Sequence, residues 1–480
     1  MKKTIFCALL AITCSLACCL RLHAQGDVDT TWVGDLPVCE LSYDAASFNP
    51  DSFAPAHLVF HSAEGVQSYD CRVRHRGGTS LLYDKPNFAL KLVDADTGES
   101  LDASFLGMRK DNNWILDAMA SDHGKVRNRA SMDLWLDSSR PPYQQPDEPK
   151  AVNGYHGHDV EVYANGSYMG LYCLSERVDR KQLKLKKYKE DDEERGTYYR
   201  GLMYKAVNGA ETRTPYFLWQ KNVPDDERSS YDGVNCEYPD VSDGEPWSWT
   251  PLRDNIYWLA AKGYSTFNKG IAGYYDLPVF MDYVLVVDLL CAYDNIGKNF
   301  YCWFYDFSSD DRRLGITPWD LDATWGRDCL GGRVSADHEM SNKSNFHTRM
   351  SLHYTGYADT LAVRYAALRD SLWTETALCS YFDRYFDLFE RTGVWQRELD
   401  CWRGTNCKLT DLATERSYIH TWIHNRLLYL DEVYGYAASA AIRTVEADAS
   451  SAEPQYVDLW GRRVDKDALR PGQLLIPVDR

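Results

Sequence analysis

Four side chains that carry oxygen ligands stand at spacings suited to metal and proton chemistry. Asp294 and Asn299 lie five residues apart in a polar stretch that directly follows an apolar run, and Asp320 and Asp322 follow further along the chain. A carboxylate can accept or orient the proton of a hydroxyl nucleophile, and carboxylate and amide oxygens hold divalent cations against phosphates. This set of residues therefore points first to phosphoryl transfer.

The order of these residues matches the arrangement used by protein kinases. In those enzymes the catalytic Asp stands five residues before a metal-binding Asn, and a second metal-binding Asp comes later in the chain. Here residues 300–304 and 314–317 are predicted as two strands joined by a polar turn. Such a hairpin would bring Asp320 back beside the loop that carries Asp294 and Asn299.

Each residue also has an ordinary structural interpretation. An Asp and an Asn in a loop commonly form turns or cap helices. Asp320 with Asp322 is equally compatible with a solvated turn or a calcium loop, and a strand lysine such as Lys91 is by default a surface residue. The order and spacing of the whole set, rather than any single residue, favours a functional site.

Two motifs and several upstream segments together have a known counterpart. The motifs are the Asp-x-x-x-x-Asn segment at residues 294–299 and the Trp-Asp-x-Asp-x-x-x-Gly segment at residues 319–326. The upstream segments are residues 74–80, 85–92, 114–116, Asp122, 127–128 and 170–176. In this combination the chain resembles the CotH (spore coat protein H) family of atypical, kinase-like phosphotransferases over roughly residues 70 to 330. It departs from the family pattern at Thr79, where the family has Ser and this chain has its Ser one place later.

The resemblance implies a role for each residue of the two motifs. It implies Asp294 as the catalytic base, and Asn299 and Asp320 as magnesium ligands with Asp322 as a further candidate. ATP is then the implied phosphate donor. Lys298 would neutralise negative charge that develops on the transferred phosphoryl group.

The residues that bind the nucleotide are open between candidates. Lys91 alternates out of an apolar set on a predicted strand, so it is our first choice for the lysine that contacts phosphate. Lys85 competes for the same role. Glu176 is the implied acidic partner of that lysine, and Arg76 is assigned to the cofactor site.

The chain of 480 residues is predicted to have an α+β fold. The first part is strand-rich, with strands predicted at residues 57–61, 71–76, 88–92 and 160–163, a helix at 125–136 and a hairpin turn at Asn165-Gly166. From about residue 276 the pattern becomes helical, with an apolar helix at 277–290 capped by Asp276 and aromatic-rich helices across 360–434. The resemblance implies an atypical two-lobed, protein-kinase-like fold for residues 35–435. Residues 436–480 are predicted as a C-terminal tail, either a sorting segment or a hairpin.

The first 24 residues are predicted to be a secretory signal peptide. Lys2 and Lys3 precede an apolar run, and Leu22-His23-Ala24 forms an acceptable cleavage site. Cys18 and Cys19 leave lipoprotein anchoring as an alternative that fits the sequence less well. The protein is therefore predicted to be exported, as a periplasmic, cell-surface or secreted protein, with no transmembrane segment.

Charge and cysteine pattern exclude two classes of partner. The formal net charge is -17, which argues against binding nucleic acid through the overall field of the protein. The cysteines after residue 24 form no CxxC pair and no cluster with histidine, which argues against a zinc site.

Three functions remain to be distinguished. The first is an ATP- and magnesium-dependent kinase that acts on hydroxyl groups of a protein substrate, and an exported kinase needs a source of ATP that the sequence does not identify. The second is a metal-dependent glycosyltransferase that uses Asp320 and Asp322, although the chain lacks an alternating βαβ nucleotide domain. The third is a non-catalytic cell-surface or carbohydrate-associated binding protein on the same fold, with a surface glycan as its partner.

Overall fold

The structure, a computed structural model, mixes strands and helices in the predicted order. It describes residues 36–46, 52–189, 199–207, 230–231, 233–240, 246–340 and 345–436, with short strands at 455–458, 463–464 and 475–478. The first part is strand-rich and the C-terminal part is helical, so the predicted α+β class is confirmed. The predicted signal peptide, residues 1–24, lies outside the described residues. No helix in the described ranges has both the length and the apolarity needed to cross a membrane.

Seven strands form a closed barrel in the N-terminal part. They are β1 (Val38–Tyr43), β2 (Ala54–Ser62), β3 (Gly65–His75), β4 (Phe88–Leu92), β5 (Asn113–Asp117), β6 (Gly157–Ala164) and β7 (Ser167–Ser175). Their order around the barrel is β1-β2-β3-β4-β5-β7-β6, and the parallel pairing of β1 with β6 closes it. Closure leaves no open sheet edge, and alternate residues of each strand fill the interior. In β4, for example, Phe88, Leu90 and Leu92 are buried whereas Lys91 is exposed.

The predicted strands and the hairpin turn of this region are confirmed. The hairpin between β6 and β7 turns at Asn165 and Gly166, which have φ of 50° and 76°. Two consecutive residues with positive φ are what a two-residue type I′ turn requires, and Asn followed by Gly satisfies it best. The Asn165 side chain also accepts a hydrogen bond from the Tyr43 amide at 2.8 Å, which ties the turn to β1.

A second sheet of five strands lies beyond the barrel in the chain. It contains β8 (Leu202–Ala206), β9 (Ser230–Tyr231), β10 (Val234–Tyr238), β11 (Phe300–Phe304) and β12 (Gly315–Pro318), in the order β12-β11-β8-β10-β9. The antiparallel pairing of β11 with β12 confirms the predicted hairpin. Strands β8 and β10 were not predicted from the sequence, because they join this hairpin only through long-range pairing of β8 with β11.

Two helices precede the second sheet in the chain, and the others lie between or after its strands. They are α1 (Arg127–Ser138), α2 (Arg180–Leu183), α3 (Thr250–Ala261), α4 (Tyr264–Gly270), α5 (Leu277–Leu290), α6 (Asn345–His353), α7 (Tyr357–Arg369), α8 (Glu375–Thr392), α9 (Val394–Trp402) and α10 (Leu412–Tyr434). Helix α5 is buried on nearly every side, as its continuous apolar sequence predicts. Asp276 occupies the N-cap position of α5, as predicted. Its carboxylate also accepts a hydrogen bond from the Tyr143 amide at 2.9 Å.

The C-terminal tail contains a small three-stranded antiparallel sheet. Its strands are β13 (Gln455–Asp458), β14 (Arg463–Val464) and β15 (Leu475–Val478), in the order β14-β13-β15. The hairpin predicted for this tail therefore has a third strand, because β13 pairs with both β14 and β15.

A completely buried ion pair fastens the C-terminal helices to the barrel. Lys85 Nζ lies 2.7 Å from Glu398 Oε1, and both side chains are fully buried. The other Glu398 oxygen accepts a hydrogen bond from the Leu171 amide at 2.9 Å, so helix α9 is joined directly to strand β7. Gly170 has φ of +91°, and a Cβ at this position would overlap the Glu398 carboxylate. Glycine is therefore required here both for its backbone conformation and for space.

Removing one member of this pair should destabilise the protein strongly. We expect Glu398→Gln and Lys85→Met each to lower the free energy of unfolding by about 3–5 kcal/mol, because each leaves the other group buried without its partner. The combined Lys85→Met/Glu398→Gln variant should lose much less than the sum of the two. Urea unfolding of the four proteins measures this coupling. Single variants within about 0.5 kcal/mol of the wild type would contradict the structural role of the pair.

Candidate functional site

A cleft of about 790 Å³ brings most of the predicted site residues together. The barrel strands and their ends contribute Arg74, Arg76, Lys91 and Asp117, and the segment after β5 contributes Asp122. The second sheet contributes Lys205 and Glu237. The loop after α5 contributes Asp294, Lys298 and Asn299, and the loop after β12 contributes Asp320 and Asp322. The two predicted motifs thus line one cleft. Lys85 and Glu176 are not among the residues that line it.

The two motif loops are held side by side by the hairpin that separates them in sequence. In the β11–β12 pairing Phe300 lies opposite Pro318, and the Trp319 amide donates a hydrogen bond to the Asn299 carbonyl at 2.9 Å. The fully buried side chain of Asn295 donates to the carbonyls of both Asn299 and Trp319 at 2.8 Å. Asn295 therefore clamps the loops together. This residue was not predicted from the sequence, because an Asn inside a polar loop gives no signal of its own.

Both loops contain a residue in the left-handed backbone region. Asn299 has φ of 59° and Asp320 has φ of 55°. Asn and Asp tolerate this region better than other residues with a side chain, although such conformations are unfavourable and cluster at functional sites. A hydrogen bond from the Asn299 amide to the Ala206 carbonyl, at 2.9 Å, helps to hold the first of them.

The candidate base is paired with a lysine from its own loop. Asp294 is buried in a short 3₁₀ turn, Tyr293–Ile296, and its Oδ2 lies 2.8 Å from Lys298 Nζ. Burial opposes the charge on Lys298, but the hydrogen bond and charge of Asp294 outweigh it and raise the pKa of Lys298 above its usual value. The ammonium group therefore stays charged beside the candidate base.

The loop after β12 carries two acidic side chains of the cleft, Asp320 and Asp322. Burial, and then the charge of Asp117, raises the pKa of Asp320, although Arg76 and Lys205 act in the other direction. Burial, and then the charge of Asp320, raises the pKa of Asp322 well above its usual value. Both side chains keep part of their surface open to the cleft. Carboxylates with raised pKa values that face an open cleft have the charge that a divalent cation would neutralise.

The oxygen atoms of Asn299, Asp320 and Asp322 are ligands of the kind that fits magnesium. Across the described ranges, no three His, Cys, Asp or Glu side chains form a ready-made metal cage. Magnesium in phosphotransfer sites is usually bound through one or two carboxylates, with water and phosphate oxygens completing its coordination. Asp320, Asp322 and the amide oxygen of Asn299 are hard oxygen donors of the kind magnesium prefers. These residues would hold the ion, and a phosphate substrate would complete the set.

Asp117 is a site residue that the sequence analysis missed. It ends strand β5, and its carboxylate accepts a hydrogen bond from Asn128 Nδ2 at 3.0 Å. The Asn128 oxygen in turn accepts from the Leu321 amide at 2.9 Å and from the Tyr155 hydroxyl at 3.0 Å. Asn128 therefore couples Asp117 to the loop of Asp320 and Asp322. A single acid at a strand end gave no sequence signal.

A buried arginine anchors the same loop to the helices. Arg127 lies 2.6 Å from Asp122 and 2.6 Å from Glu415, and its Nε donates to the Thr324 carbonyl at 3.0 Å. The Asp122 carboxylate also accepts from the backbone amides that begin helix α1. This network joins α1, α10 and the loop after β12, and explains why Asp122 and Arg127 belong to the motif segments.

The predicted nucleotide-binding cations occupy two different environments in the cleft. Lys91 is exposed at its rim, with Nζ 4.7 Å from the centroid of the Phe53 ring. Arg76 is partly buried, and its guanidinium lies 5.8 Å from the centroid of the Trp319 ring, next to the acidic loop. Both line the cleft, and their roles remain predictions.

The structure corrects the placement of Lys85 and Glu176. Lys85 is buried against Glu398, because a lysine inside the protein requires a counter-charge. Glu176 accepts hydrogen bonds from the Arg109 and His156 amides, both at 2.9 Å, and from Gln182 at 2.8 Å. It faces a separate groove and does not pair with Lys91.

Comparison with known proteins gives two findings. A sequence model described as CotH kinase protein matches residues 73–430, a range that contains both motifs. The inner spore coat protein H of Bacillus subtilis (strain 168) is 22% identical to this chain over 269 residues. That alignment covers 56% of this chain and 62% of the relative, so the chain spans less than two thirds of the relative's length.

Neutralising one acidic residue should stabilise the metal-free protein. The pKa of Asp322 is raised in the folded protein, so the folded state binds its proton more tightly than the unfolded state does. The free energy of unfolding therefore falls as pH rises above the unfolded pKa of about 3.9. We expect Asp322→Asn to raise the free energy of unfolding by about 0.5–2 kcal/mol at pH 8 in EDTA, with the gain vanishing near pH 4.

The matched control is Asp96→Asn, because Asp96 is exposed in a turn outside the cleft. It should change stability by no more than about 0.5 kcal/mol. Urea unfolding at the two pH values measures both variants. A loss of stability in Asp322→Asn at pH 8 would show that the acidic loop is not under charge repulsion.

Proposed function

We propose, because this chain belongs to the CotH kinase protein family, that it is an ATP- and magnesium-dependent phosphotransferase acting on hydroxyl groups of a protein substrate. One observation carries the proposal. Asp294, Asn299 and Asp320 come from two separate loops and line a single cleft. Phosphoryl transfer depends mainly on positioning and on stabilising charge, and these residues supply the required groups.

Asp294 is the proposed catalytic base. The acceptor oxygen attacks the γ-phosphorus of ATP, its proton passes to the Asp294 carboxylate, and ADP leaves with the electrons of the broken P–O bond. Lys298 holds this carboxylate at 2.8 Å and orients it in the cleft. The positive charge of Lys298 would also offset the negative charge that develops on the transferred group.

Asn299, Asp320 and Asp322 are the proposed magnesium ligands. Magnesium, when bound, offsets the negative charge of the phosphates. Asn295 and Asn128 are positioning residues, because each hydrogen-bonds the backbone of the ligand-bearing loops. The proposed site thus rests on the oxygen chemistry of the cleft and on the hydrogen bonds that fix its loops.

We also propose that the barrel and the helical part correspond to the two lobes of a kinase-like fold. The cleft is lined from the barrel on one side and from the loops after α5 and β12 on the other, which supports this view. The predicted signal peptide supports action outside the cytoplasm.

Metal-dependent nucleotide binding is the first test. We expect the purified protein to bind ATP in the presence of magnesium, and Asp320→Ala to weaken this binding by about tenfold or more, the effect of losing an interaction with a charged group. Asp96→Ala is the control and should bind like the wild type. Calorimetric titrations with ATP, UDP-sugars and glycans measure these affinities.

The other titrations decide between the remaining functions. Preferential binding of a UDP-sugar would support a glycosyltransferase in place of a kinase. Binding of a glycan that is indifferent to magnesium and to Asp320→Ala would support a non-catalytic binding protein.

The base assignment makes a separate prediction. We expect Asp294→Ala to keep ATP affinity within about threefold, but to lower autophosphorylation by about a hundredfold or more, the contribution typical of general acid–base catalysis. Transfer of radiolabelled γ-phosphate to the protein itself measures turnover without knowledge of the acceptor. Normal turnover in Asp294→Ala would refute the assignment of this base.

A further inference from the structure

Lys205 lies beside the acidic loops through the pairing of the second sheet. Strand β8 pairs with β11 so that Lys205 is opposite Tyr301, and the neighbouring Ala206 carbonyl accepts the Asn299 amide at 2.9 Å. The backbone of Lys205 is therefore fixed within one residue of the contact that holds Asn299. This proximity arises from long-range strand pairing, which the sequence pattern did not reveal.

The side chain of Lys205 lines the cleft among aromatic rings. Its Nζ lies 5.4 Å from the centroid of the Tyr301 ring and 5.5 Å from that of Trp319. In the part of the chain that the structure describes, no carboxylate comes within ion-pair distance of it. Burial lowers the pKa of Lys205, and the charges of Glu237 and Asp320 offset this effect only in part. A partly buried cation with no carboxylate at ion-pair distance is unfavourable, which is typical of residues with a functional role.

Two arginines of the same cleft share this property. Arg76 and Arg177 are partly buried and line the cleft, and neither has an acidic partner at ion-pair distance among the described residues. With Lys205 they form a basic group that faces the acidic loop of Asp320. The cleft therefore has one side suited to a cation and another suited to an anion.

Three fully buried cations outside the cleft behave differently. Lys85, Arg127 and Arg426 are each fully buried and each contact a carboxylate within 3.0 Å. Their charges are satisfied inside the fold and serve its stability. The charges of Lys205, Arg76 and Arg177 are left available to a ligand.

Lys205 is also better placed than Lys91 to act on phosphate. Lys91 is exposed at the rim, where water screens its charge, whereas Lys205 lies within the cleft and next to the loop of Asp320. An interaction between charges is stronger where water is excluded.

We propose, building on the phosphotransferase function above, that Lys205 contacts the phosphates of the bound nucleotide and that Arg76 and Arg177 complete a polyphosphate subsite. The subsite recognises the triphosphate and not the nucleoside. Lys205 thus takes the role that the sequence analysis gave to Lys91.

The test compares Lys205→Met with Lys205→Arg and with Lys91→Met. Full-length proteins are titrated with ATP, AMP and inorganic tripolyphosphate in magnesium. We expect Lys205→Met to weaken binding of ATP and of tripolyphosphate by about tenfold or more, as for loss of one charge-assisted hydrogen bond, and to bind AMP nearly as the wild type does. Lys205→Arg should restore most of the affinity, and Lys91→Met should stay within about threefold of the wild type.

Thermal unfolding of the ligand-free variants separates this role from a structural one. Lys205→Met removes an unpaired charge, so its melting temperature should equal or exceed that of the wild type. A lower melting temperature with equal losses for ATP and AMP would overturn the inference in favour of a structural lysine. Unchanged ATP affinity in Lys205→Met, with normal binding by the wild type, would overturn the inference alone. A wild-type protein that binds neither ATP nor tripolyphosphate would overturn the proposed function as well.

Discussion

Repulsion between carboxylates is the constraint that the rest of the cleft must resist. Burial, and then the charge of Asp117, raises the pKa of Asp320, and burial, and then the charge of Asp320, raises the pKa of Asp322. Left to themselves, such groups would move apart or turn toward water. The fold prevents this with neutral hydrogen bonds rather than with counter-charges alone: Asn295 joins the two loops, and Asn128 joins Asp117 to the second of them. Burial of the apolar core around α5 offsets the destabilising effect of these neighbouring carboxylates.

Charged residues in this protein divide into two groups by whether the fold satisfies them. Lys85 with Glu398 and Arg127 with Asp122 are enclosed pairs that connect distant elements. The cations and carboxylates that line the cleft are instead desolvated without full compensation, which is typical of binding and catalytic sites. The distinction assigns Lys85 to architecture and Lys205 to ligand binding.

The sequence was informative wherever the signal was local. Alternation of apolar residues located the barrel strands, Asn165-Gly166 located a hairpin, and the apolar run at residues 277–290 located α5. The polar turn between two apolar segments was enough to predict that Asp320 returns to the loop of Asn299. These features depend on backbone preferences and on burial over a few residues.

Features that depend on distant partners were beyond the reach of the sequence. Strand β8 joins the hairpin from nearly a hundred residues away, and with it came Lys205. Lys85 looked like a ligand-binding lysine because its partner, Glu398, is 313 residues further along the chain. This long separation along the chain also affects how the protein folds during its synthesis. Until residue 398 has been synthesised, the Lys85 ammonium group has no carboxylate to pair with, so we expect the N-terminal half to reach its final form only after the C-terminal helices have been made. The barrel and these helices are then expected to complete their folding together.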